Sequence, residues 1–114
     1  MIRKSKTSRP GALPARYVKF QGAYPQVFAA YAALGAATQA AGPLPAKTRA
    51  LVKLAIAAGA RREGAVHSHT RRALETGCTG AEVRHVALLS TTTIGFPAMM
   101  SVLSWIEDVL ARKK

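Results

Sequence analysis

Apolar residues return every three to four positions along most of this chain, and no stretch alternates convincingly with period two. LPARYVKFQGAYPQVFAAYAALGAATQAAGPLP opens with a short amphipathic piece that Gly22 and Pro25 interrupt. From Pro25 to about Gln39, Val27, Phe28, Tyr31 and Leu34 recur at helical spacing. GPLP at 42–45 breaks the chain, and Pro45 suits the first turn of a new helix. AKTRALVKLAIAAGA is apolar on nearly every side and ends at Gly59, which predicts the central buried helix. REGAVHSHTRRALETG predicts a third helix, closed by Gly77 as its C-cap. Thr79 to Glu82 has capping-box spacing at the head of a fourth. IGFPAMM interrupts that one, and Pro97 falls near the first turn of a last helix. Met99, Met100, Leu103, Ile106, Val109 and Leu110 form one face there. The pattern predicts an all-α fold.

Size and composition narrow this further. A chain of 114 residues suits one domain over 1–114. Its apolar residues are mostly Ala, Leu, Val and Ile, with only 6% aromatics. Alanine buries little area per residue, so self-association would help to stabilise such a core. Leu88, Leu89 and His85 form a second face on the fourth helix, and that apolar surface calls for cover.

The charge is lopsided, with 17 Lys and Arg against five acids and a net +12. Nucleic acid, an anionic membrane surface and acidic small molecules all suit such a balance. Placement weakens the first two. Arg3, Lys4, Lys6 and Arg9 lie in a basic arm over residues 1–13, and Arg112, Lys113 and Lys114 form a tail. Stacking aromatics are few and no recognition helix is readable. The leader lacks the apolar centre of a signal peptide, and no apolar run spans a bilayer. The lone Cys78 excludes an internal disulfide and a CxxC pair. These features lead us to expect a cytoplasmic protein with no membrane partner.

The chemistry-bearing residues crowd into one helix. At 100° per residue, Val66, His69 and Ala73 point one way, flanked by Ala65 and Thr76. Arg62 lies on the same line. Gly64, His67, Ser68, Arg71, Arg72 and Glu75 make the polar side, with His67 a surface residue near Glu63. His67 and His69 stand about 160° apart on the wheel, so a regular helix cannot bring both to one ion. HExxH spacing is absent too, and no metal site is expected. His69 on the inward stripe reads either as a core histidine bonded to a carbonyl or as a pocket acid or base.

Residues 44–106, LPAKTRALVKLAIAAGARREGAVHSHTRRALETGCTGAEVRHVALLSTTTIGFPAMMSVLSWI, resemble the carboxymuconolactone decarboxylase and AhpD-like superfamily. The apolar helix after LPAKTRAL, the SHTRRALETG turn, TGAEVRHV and the IGFPA break carry the likeness. It implies a helical bundle of five to six helices that assembles as a homo-oligomer, most often a trimer or hexamer. In the thiol peroxidase branch a CxxCxxxH motif works with a relay glutamate. Here Arg62 and Ala65 stand at the cysteine positions and Ala50 at that of the glutamate, while His69 falls on the motif histidine. A thiol mechanism has neither of its sulfurs in place.

The decarboxylase branch lacks the cysteine pair and is matched by Glu63, His69, Gly95 and Pro97. The likeness implies decarboxylation of a small carboxylated lactone or a related acidic metabolite, without a cofactor. His69 would be the acid or its relay, and Glu63 would accompany it, although the two point about 120° apart on the wheel. Arg62 would hold a substrate carboxylate, with Gly95, Phe96 and Pro97 closing the pocket. The alternative is a non-catalytic basic homo-oligomer that binds nucleic acid through its arm or plays a structural part.

Overall fold

The computed structural model describes residues 13–113, so the basic arm lies, apart from Leu13, outside the described residues. Every described element is helical. The chain divides between Leu44 and Pro45 into two compact units.

The first unit holds α1 (Ala15–Ala23) and α2 (Pro25–Ala40). Pro25 opens α2, where its fixed φ fits and its missing N–H costs nothing. The Tyr17 ring meets Phe28 edge-on at 5.8 Å. Neither helix contains a buried residue. The predicted stripe of Val27, Tyr31 and Leu34 is real in spacing but open to solvent, with Tyr31 62% exposed.

The second unit packs α3 (Ala46–Gly59), α4 (Glu63–Glu75), α5 (Gly80–Leu89), the single turn α6 (Thr91–Ile94) and α7 (Phe96–Lys113). α4 lies against α3 and α7, and α5 lies against the same two helices. The core between them is built from Leu54, Ala57, Ala58, Val66, Ala73, Cys78, Val83, Ala87, Val102 and Ile106. Small side chains at the contacts let these short helices approach closely. At the edge of this core Arg84 grips Glu107 with two hydrogen bonds, of 2.6 and 3.0 Å, tying α5 to α7.

The helix ends explain where the elements stop. α4 closes in a Schellman motif: Cys78 N–H donates to Ala73 and Gly77 N–H to Leu74, with Gly77 at φ 108°. Gly77 therefore acts as expected, and Cys78 tucks back as the apolar residue that follows it. α3 ends in the same pattern, Arg62 N–H donating to Ala57 and Arg61 N–H to Ala58. Its left-handed residue is Arg61 at φ 60°, not the glycine at 59. Thr79 and Glu82 form the full capping box at the head of α5. Gly95, at φ 98° and ψ 155°, occupies a region reserved for glycine and turns α6 into α7.

One expectation is corrected. α3 is not buried all round. Leu54, Ala57 and Ala58 face the core, but Val52 is exposed and Ile56 is 66% exposed. Its apolar sides serve two purposes: one packs the core and the other lines a groove.

Candidate functional site

α4 carries the candidate residues, and its position between α3 and α7 decides what each one meets. Val66, Thr70 and Ala73 are fully buried, so the inward line runs through Thr70 as well as the two predicted apolar positions. The Thr70 hydroxyl has no hydrogen-bond partner among the described residues. His69 flanks this line and is half-buried. Burial first, then the charges of Lys53, Arg72 and Arg71, hold its pKa below the ordinary histidine value, so the ring is neutral at pH 7. A half-buried imidazole within a field of cations suits an anionic group lying against it.

His67 departs from the expectation of a surface residue. Only 14% of its side chain is exposed, because α7 covers it. Its Nε2 donates to Asp108 Oδ2 at 3.1 Å and lies 3.9 Å from Glu63 Oε2. Glu63 thus turns toward His67. Arg62 is exposed at the N-cap of α4. Phe96 and Pro97 are exposed at the start of α7, beside the Gly95 turn.

The described residues also form a groove of about 580 Å³ between α3, α5 and α6. Leu51, Val52, Val86, Leu89 and Ile94 make its apolar walls, while Thr48, Glu82, His85 and Ser90 supply polar groups. None of Arg62, Glu63, His69, Gly95, Phe96 or Pro97 lines it. The sequence reading missed this groove, although the apolar sides of α3 and the Leu88–Leu89 face were its visible signals.

The profile of the carboxymuconolactone decarboxylase family matches residues 25–108. The chain belongs to that family. No curated protein and no solved structure matches it. The family match begins at Pro25, so it takes in α2 as well as the segment from Leu44 that carried the likeness. Within this decarboxylase-family chain no CxxC is present, and its one thiol is buried at the end of α4. Burial, then the charge of Glu82, raises the Cys78 pKa against the opposing pull of Lys47. A thiol held in that way is a poor nucleophile at neutral pH.

Proposed function

We propose that this member of the family is a lyase that decarboxylates a small carboxylated lactone or a related acidic metabolite. The single observation that carries the reading is the half-buried His69 among Lys53, Arg71 and Arg72. Those cations supply the attraction that an acidic substrate needs, and Arg62 at the mouth of α4 adds a planar donor for a carboxylate. Decarboxylation breaks the bond to the carboxylate carbon and leaves its electron pair on the ring carbon. The lactone carbonyl takes up that pair by conjugation, and a proton must then reach the carbon. In this reading the neutral His69 ring is the relay: it takes a proton from water on one ring nitrogen as it gives one to that carbon from the other. Glu63, turned toward His67 at 3.9 Å, is assigned to the head of α4 rather than to sharing this proton. Gly95, Phe96 and Pro97 form the wall we assign to the substrate's far side.

In this proposal the protein works in the cytoplasm as a homo-oligomer, a trimer or hexamer, with neighbouring copies covering the exposed apolar faces. The test is carbon dioxide release from a carboxylated lactone by the purified protein. His69→Gln should abolish release while leaving the thermal midpoint close to wild type, and His85→Gln should retain it. Equal activity in the wild type and His69→Gln would overturn the assignment. Dithiol-dependent turnover of an organic hydroperoxide would place the chain in the other branch.

A further inference from the structure

α4 and α7 bring together the one cluster of ligating side chains found among the described residues, outside the surroundings of His69. Glu63 and His67 are one helical turn apart on α4, and Asp108 reaches them from α7. One donor atom from each lies within 4.8 Å of the others. The His67 Nε2 to Asp108 Oδ2 spacing is 3.1 Å and that to Glu63 Oε2 is 3.9 Å. Ligands bonded at about 2.0 to 2.2 Å around a tetrahedral ion stand roughly 3.3 to 3.6 Å apart. The two spacings to His67 bracket that value and the Glu63–Asp108 spacing is no more than 4.8 Å, so rotation of the two carboxylates can close the set.

The charge arrangement is a second and independent observation. The chain has 17 Lys and Arg but only five acids. The ion pairs Lys47–Glu82 and Arg84–Glu107 show the usual use of an acid in so basic a protein. Glu63 and Asp108 differ. Among the described residues their only ion-pair partner is His67, which they share. Two carboxylates converging on one imidazole, with no Lys or Arg paired to them among the described residues, leave a local negative charge that a divalent cation would satisfy. The imidazole is largely covered and held at a helix contact, which fixes the most directional ligand in advance. The carboxylates are partly exposed, so the remaining coordination positions face solvent.

We propose that Glu63, His67 and Asp108 bind one divalent transition-metal ion of the zinc class across the α4–α7 contact. One nitrogen with two carboxylate oxygens selects this class over calcium or magnesium, which prefer all-oxygen sets. Binding moves the His67 proton from Nε2 to Nδ1 or to solvent, and Nε2 then ligates as a lone pair. The ion would pin α4 to α7 at the edge of the core. It is separate from the proton delivery assigned to His69, and its test does not use activity.

The experiment is a Zn²⁺ titration of the full-length, tag-free protein after chelator treatment, read by calorimetry and by the thermal midpoint. We expect one saturable ion per chain and a raised midpoint. Asp108→Asn and Glu63→Gln should each weaken binding by at least about tenfold. His85→Gln should bind as the wild type does, since His85 lines the groove between α3, α5 and α6 and is not one of the three clustered residues. Glu63 is exposed, so its substitution tests the site without disturbing the core. Failure of the wild type to bind, or unchanged affinity in both carboxylate variants, would overturn the proposal.

Discussion

Arg61 and Gly77 hold the same place in two like helix ends: each is the left-handed residue of a Schellman motif, Arg61 after α3 at φ 60° and Gly77 after α4 at φ 108°. Only one of them is a residue type suited to that backbone. Arg61→Gly should therefore raise stability by about 1 kcal/mol, less whatever the unfolded chain gains in freedom. Gly77→Ala should lower it by about 1 to 2 kcal/mol, for conformational reasons alone, because a Cβ there meets no atom within 4 Å. Urea midpoints of the two variants should move in opposite directions.

The buried Thr70 hydroxyl gives a second expectation. It lies within the α4 core with no partner among the described residues, so it bears a desolvation cost without a compensating bond. Thr70→Val keeps the branched shape and removes the polar atom. A gain of about 1 kcal/mol is expected, and a loss would show that the hydroxyl is bonded in solution.

Glu82 supplies a pH test. Its carboxylate accepts from Thr79 N–H at 2.8 Å and sits beside Lys47, and the capping bond and then that charge hold its pKa below the usual glutamate range. A folded pKa below the unfolded one makes the contribution complete above about pH 4.3 and removes it as pH falls through the lower folded value. Glu82→Gln keeps an acceptor but does not titrate. The midpoint gap between wild type and variant should be widest near neutrality and close in acid; a constant gap would refute the account.

The proposed assembly has its own test. Leu89 and Ile56 are more than half exposed, and no residue of α1 or α2 is buried. Light scattering at micromolar concentration should give a trimer or hexamer, with a thermal midpoint that rises with protein concentration. Leu89→Glu should shift the population toward smaller species. A monomeric wild type at that concentration would end this reading.

What the sequence disclosed depended on how local the determining interaction is. The Thr79–Glu82 box and the Gly77 stop act within one turn, and both were legible. The helix end at Gly59 was legible as well, but the left-handed Arg61 beyond it was not, because nothing in that side chain announces the conformation. The continuous apolarity of α3 predicted burial, yet the same pattern serves a helix with core on one side and an open groove on another. His67 was misjudged for a related reason. The wheel correctly set it apart from His69 and near Glu63, but the residue that covers it, Asp108, lies 41 positions away on α7. The site reading of His69 rested on one helix, whereas the charge of Lys53 acts on it from another. Periodicity reports faces, and only packing reports what those faces meet.

The placement of Cys78 has a consequence for handling the molecule. Its sulfur is enclosed where α4 ends and is the only thiol the chain possesses. Two copies can join through sulfur only after that turn has opened in both. The disulfide-linked fraction on a non-reducing gel, followed during storage in air, is therefore a built-in clock for the opening of α4. Variants that close the turn more firmly should slow it.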